Sequence, residues 1–80
     1  MDDQQILSQI SALVDEEDTL RRRHVESRLD EAEQARVEQI EIALDQCWDL
    51  LRQRRARREF DRDPDSASVR GVETVERYQQ

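Results

Sequence analysis

Ser27-Arg28-Leu29-Asp30-Glu31-Ala32-Glu33 is the stretch on which the fold turns. Upstream of it, Ile6, Ile10, Leu13, Leu20 and His24 recur at steps of four and three, with Glu17 filling the gap. Downstream, Val37, Ile40, Leu44, Cys47 and Leu51 recur at steps of three and four. Each series is the apolar stripe of an amphipathic helix with coiled-coil spacing. A single rod would continue the first stripe through 27 and 31, where Ser27 and Glu31 stand instead. Asp30 followed by Glu33 reads as a capping box, in which the Asp carboxylate takes the backbone N–H three residues on and the Glu returns the favour. The spacing therefore predicts one helix at about 3–26 and a second at about 31–60, joined by a tight turn.

The two stripes test that reading. In a hairpin, facing residues have numbers with a constant sum. The pairs Ile6–Leu51, Ile10–Cys47, Leu13–Leu44, Glu17–Ile40, Leu20–Val37 and His24–Glu33 all share one sum, and four of them set apolar against apolar. Asp3 and Arg54, one step further out, share it too and carry opposite charge. Helix 2 is the longer, roughly 45 Å against roughly 36 Å at 1.5 Å per residue, so its last turns overhang the start of helix 1.

Composition points the same way. The chain has 80 residues, of which 41% are charged, against about 25% in an ordinary domain. It holds one Gly and one Pro, and neither occurs between Asp2 and Asp63, so long helices are the economical solution. The net charge is −7, and every base is Arg. An acidic whole argues against broad binding to nucleic acid or anionic membranes. Cys47 is the one cysteine, which excludes an internal disulfide and suits a reducing cytoplasm. The N-terminus does not resemble a signal peptide, and no apolar run approaches the ~20 residues of a membrane span. A cytoplasmic protein is expected.

Past Asp63 the character changes. Asp63-Pro64-Asp65 suits a capped helical turn with Pro at its first position. Val72, Val75 and Tyr78 then recur every third residue, and Ser66, Ser68 and Gly71 loosen the chain between. The tail either lies on the hairpin or orders on a partner. The expected architecture is all-α: an antiparallel two-helix coiled-coil hairpin over 1–62 and an irregular or partly helical tail over 63–80.

The run Leu44-Asp45-Gln46-Cys47-Trp48-Asp49-Leu50-Leu51-Arg52-Gln53-Arg54-Arg55-Ala56 resembles the signature of a family of short bacterial proteins of unknown function. Met1-Asp2-Asp3, Asp63-Pro64-Asp65 and the closing Val75-Glu76-Arg77-Tyr78-Gln79-Gln80 share the likeness. Relatives often carry Gly or Ser at the turn and a Gly before the Asp-Pro-Asp segment, where this chain has Ser27-Arg28-Leu29 and Asp61. The resemblance implies a common fold and brings no activity with it.

Residues with chemical potential have plainer readings. His24 could act as a general base oriented by Glu33, but no nucleophile accompanies it, and an edge histidine bonded to an acid suffices. Cys47, facing Ile10, suits a small buried hydrophobe better than a reactive thiol. Glu38, Glu41, Asp45 and Asp49 line one strip of helix 2. The strip lacks the Glu-x-x-His of di-metal bundles and reads as a solvated face balanced by Arg52 and Arg36. No catalytic residue, metal or cofactor is expected.

Arg52, Arg54, Arg55, Arg57 and Arg58 form the densest charge feature. The helix dipole and the acids Asp2, Asp3, Asp61, Asp63 and Asp65 can satisfy these bases internally. The functional reading is a docking patch for RNA, phosphate or an acidic protein surface, with a nucleic-acid-associated regulator as the alternative. Leu7, Val14, Ile42, Trp48 and Leu50 widen the apolar surface beyond what two helices cover. A second copy, completing a four-helix bundle, would bury it, and a tail folded over Trp48 is the competing solution. A protein-interaction or scaffold module that forms a homodimer is the expectation, and an enzyme is not.

Overall fold

The computed structural model describes residues 1–60 and 62–79, without the side chains of Glu26, Arg77, Tyr78 and Gln79. The expectations placed on Asp61 and on the Tyr78 side chain lie outside the described residues. Helix α1 runs Asp3–Glu26 and helix α2 Glu31–Glu59. A 3-10 turn follows at Pro64–Ser66, and a short helix α3 at Val72–Gln79. Among the described residues there is no strand.

Side chains set each boundary. Asp30 is extended, and its Oδ1 accepts the Glu33 N–H at 2.8 Å while Glu33 Oε1 accepts the Asp30 N–H at 3.2 Å. This is the capping box expected at the turn, and it satisfies two of the four orphan donors at the start of α2. A second box, not foreseen, opens α1: Asp2 Oδ1 accepts from Gln5 N at 2.8 Å, and Gln5 Oε1 from Asp2 N at 2.9 Å. Gln in the third helical position carries the same chemistry as Glu there. At its other end α1 stops at Ser27, whose N–H reaches the Arg23 carbonyl at 2.7 Å.

The helices pack antiparallel. Ile6 and Ile10 of α1 form a core with Leu50 of α2, and Leu44, Cys47 and Leu51 pack against it. Leu20 and Ile40 are also buried. The predicted Asp3–Arg54 pair is present at 2.5 Å. Flanking bridges Glu16–Arg36 (2.5 Å) and Arg21–Glu41 (3.6 Å) clamp the two sides of the seam. His24, expected to meet Glu33, is exposed instead, and Arg23 takes Glu33 at 2.7 Å. The longer stem and permanent charge of arginine capture a carboxylate from the flank, where the shorter imidazole has less reach.

The tail returns along α2. Asp63 Oδ1 accepts from Asp65 N at 3.0 Å and starts the 3-10 turn, with Pro64 at its first position. The chain then runs extended to Gly71, whose carbonyl accepts from the Thr74 and Val75 amides, and α3 lays Val75 down fully buried. The result is long and thin, 50 × 25 × 16 Å, with a radius of gyration of 15.0 Å against about 12 Å for a compact chain of this length.

Candidate functional site

The tail crosses α2 on a polar stripe rather than an apolar one. Asp49, Gln53 and Arg54 are the buried polar residues of α2. Gln53 Nε2 donates to Asp49 Oδ2 at 2.9 Å and to the Ser68 carbonyl at 2.8 Å. Arg70 approaches Asp49 at 3.6 Å, and Gln46 Nε2 reaches the Arg70 carbonyl at 3.3 Å. Gln46, Asp49 and Gln53 are three and four apart, so they stand in one row along the helix. An extended segment leaves its carbonyls unmet by its own backbone, and side-chain amides in a row can take them.

This corrects the reading of the acidic strip as a solvated face. Glu38 is exposed, but Glu41 pairs with Arg21, Asp45 is half-buried and Asp49 is buried against the tail. Arg36 turns to Glu16 instead. Among the described residues, no three of His, Cys, Asp or Glu gather as a metal site. Asp45 lies beside Glu76 of α3. Burial first, and then Asp45, hold the Glu76 carboxyl above its usual range, and its Oε1 is buried with no hydrogen-bond partner among the described residues. A carboxyl whose folded value is raised favours the fold when protonated. That contribution is complete below the ordinary value near 4.5 and is lost as the pH rises through the raised one. Glu76→Gln is therefore expected to slow amide exchange in 72–76 at pH 7 and to flatten its pH dependence. Exchange in the variant equal to that of the parent from pH 4 to 8 would contradict the assignment.

Within the basic cluster, Arg54, Arg57 and Arg58 tie α2 to other segments of the chain. The Arg54 side chain is 7% exposed and donates to Asp3 Oδ1 at 2.5 Å, Asp65 Oδ1 at 2.9 Å and the Pro64 carbonyl at 3.3 Å. Arg58 grips Asp3 at 2.8 Å, and Arg57 Nη1 donates to Ser66 Oγ at 3.0 Å. Arg52 and Arg55 face solvent, and Arg55 makes an (i, i+4) pair with Glu59 at 3.2 Å. Cys47 is half-buried, its Sγ–H directed at Gln9 Oε1 at 3.9 Å, and burial pushes its thiol up.

The five apolar flank residues divide between surfaces. At 100° per residue, Leu7 and Val14 lie on one side of the α1 stripe. Trp48 lies on the same side of the seam in the antiparallel partner. All three remain open, at 44%, 39% and 45% exposure. Leu50 points to the other side and is buried in the core, near Ala67 of the tail. Ile42 lies further round still and is half-buried. The expectation that Leu50 is an open flank residue is thus corrected, because the tail crosses on that side. The same crossing leaves Trp48 uncovered.

Two hollows accompany the tail. A cavity of about 200 Å³ lies among Met1, Leu50 and Val69. A larger cleft of about 540 Å³ opens where α2 ends, lined by Gln53, Ala56, Arg57, Phe60, Arg62 and Arg70. Among the described residues, no helix is long and apolar enough to cross a membrane.

A family model described as protein of unknown function (DUF2630) matches residues 2–80. Uncharacterised proteins of Mycobacterium bovis and Mycobacterium tuberculosis are similar to the chain. Each is 48% identical over 77 residues, covering 95% of this chain and 88% of the relative. No solved structure matches significantly.

Proposed function

The chain belongs to the DUF2630 family of proteins of unknown function, and from that premise we propose that it is a small cytoplasmic interaction module that pairs with a second copy of itself through the open flank of Leu7, Val14 and Trp48. The observation that carries this reading is surface. The chain exposes 6057 Å², whereas a folded monomer of 9.6 kDa is expected to expose about 5,100 Å². A standard interface removes roughly 800 Å² per partner, which offsets most of that excess. The open flank is the apolar side that the tail leaves bare, so a self-complementary contact there yields four long helices around one seam. Arg21, Glu41 and Arg52 rim it with both signs of charge, which suits antiparallel pairing of identical faces.

The reading assigns the chain no reaction. His24 stands exposed away from Glu33, and burial works against a nucleophilic Cys47 thiolate. A single half-buried cysteine supports a reducing compartment. Nucleic-acid contact through Arg52–Arg58 has less support, since Arg54 and Arg58 are engaged with Asp3 and Asp65.

Sedimentation equilibrium at tens of micromolar should give a dimer, and Trp48 emission should shift to the blue as the concentration rises. Trp48→Glu is expected to weaken pairing by roughly 30-fold or more, the scale of an aromatic hot spot. Val25→Glu, at an exposed site beside the turn, should leave pairing unchanged. A wild-type chain that stays monomeric at those concentrations sinks the proposal.

A further inference from the structure

The cleft at the end of α2 has features that pairing through Trp48 does not use. Its lining brings together three guanidinium-bearing residues, Arg57, Arg62 and Arg70, with the Phe60 ring and the Gln53 amide. Its volume of about 540 Å³ falls within the ~300–1,000 Å³ of small-molecule sites. Phe60 is 75% exposed and presents its ring at the cleft. Arg57 is half-buried; its Nη1 is held by Ser66 Oγ at 3.0 Å, while its Nε is buried without a hydrogen-bond partner among the described residues. A buried N–H donor left unmatched is rare and calls for an acceptor.

Electrostatics favour an anion as that acceptor. The carboxyl end of α2 contributes roughly half a negative charge, and its last carbonyls are partly engaged by the Phe60 and Arg62 amides. Asp49 leans on Arg70 at 3.6 Å. Among the described residues that line the cleft, the formal charges are the guanidiniums of Arg57, Arg62 and Arg70, with no acid in the lining. Guanidiniums match tetrahedral phosphate oxygens in their fork geometry, and an exposed aromatic ring stacks on a planar base. The space holds one such unit rather than a strand.

We propose that this cleft binds a phosphate monoester carried on a planar heterocycle, the chemistry of a nucleoside monophosphate, with Arg57 and Arg62 on the phosphate and Phe60 against the base. Ligand binding would tie the last turn of α2 to the tail segment that carries Arg70, and so report on tail docking. The site is separate from the Leu7–Val14–Trp48 flank and stands whether or not the chain pairs.

The test is calorimetric titration of the full chain at low salt with three probes: AMP, inorganic phosphate and adenosine. AMP is expected to bind at least tenfold more tightly than either half-molecule and to weaken as salt is raised. Arg62→Gln and Phe60→Ala, both at exposed positions where folding is not at stake, should each reduce AMP affinity tenfold or more. Amide exchange in 64–71 should slow when AMP is bound. No AMP binding at millimolar concentration, equal affinity for AMP and phosphate, or affinity unchanged in both variants overturns the proposal.

Discussion

Ile6→Ala is expected to destabilise the chain by about 2–5 kcal/mol, the range for truncating a fully enclosed branched aliphatic residue. Ile6 has no exposed surface and sits against Ile10 and Leu50, with Leu44, Cys47 and Leu51 around them. Few other side chains share its load, since Ile10, Leu20, Ile40, Leu50 and Val75 complete the buried apolar set among the described residues. A domain of this size has roughly 4–12 kcal/mol in total, so the loss is a large part of the whole. Urea denaturation followed by far-ultraviolet circular dichroism would measure it. Val25→Ala, at a site 87% exposed, should change stability by less than ~0.5 kcal/mol. The register adds a sharper test: a double-mutant cycle on Ile6 and Leu51 should show coupling of about 0.5–3 kcal/mol. An Ile6→Ala cost under 1 kcal/mol would mean that the seam does not carry the fold.

The hairpin was legible because two independent signals coincide at one place. Asp30 and Glu33 start a helix where the first stripe runs out, and the same turn brings Asp3 opposite Arg54. Stripe phase and end chemistry are local properties, readable along a chain. The exchange of His24 for Arg23 at Glu33 was not legible, because neighbours on one helix end compete by reach and charge rather than by phase. Nor was the path of the tail. Its anchors are Gln46, Asp49 and Gln53, which look like ordinary surface polars until an extended segment lies over them. That path decided the fate of three apolar residues: Leu50 and Ile42 fell on the covered sides and Trp48 on the bare one. The signals that could have foretold it were the three-and-four spacing of those anchors and the reversing Asp63-Pro64-Asp65 turn downstream. Of the arginine cleft, Arg57 was legible within the basic cluster, but Arg70 joins it only when the tail folds back.

Arg54→Gln should release the tail while leaving the hairpin core helical. One guanidinium holds three segments of the chain at once: the start of α1 through Asp3, its own helix, and the 3-10 turn through Asp65 and the Pro64 carbonyl. Glutamine has neither the charge nor the span to bridge them. Arg54→Lys should fail as well, because a point charge cannot reproduce a planar fork with several donors. The expected result is amide exchange in 64–75 faster by roughly tenfold or more, with the amides around Ile6 and Ile40 changed far less, as befits a local opening. Acid should mimic the substitution. Hydrogen bonds from Arg58 and then Arg54 hold the Asp3 carboxyl below its usual value near 3.8. A depressed carboxyl contributes stability above its ordinary value, and that stability is lost as the pH falls through the depressed one. Tail protection should therefore weaken on acidification below about pH 4, and in Arg54→Gln this acid-dependent loss should be smaller, since only Arg58 remains to depress the Asp3 carboxyl. The Glu76 carboxyl works in the opposite direction, so protection of the tail should peak between the two titrations rather than rise steadily with pH. Unchanged exchange in 64–75 for Arg54→Gln would show that the tail is held by the Gln53 and Val75 contacts alone.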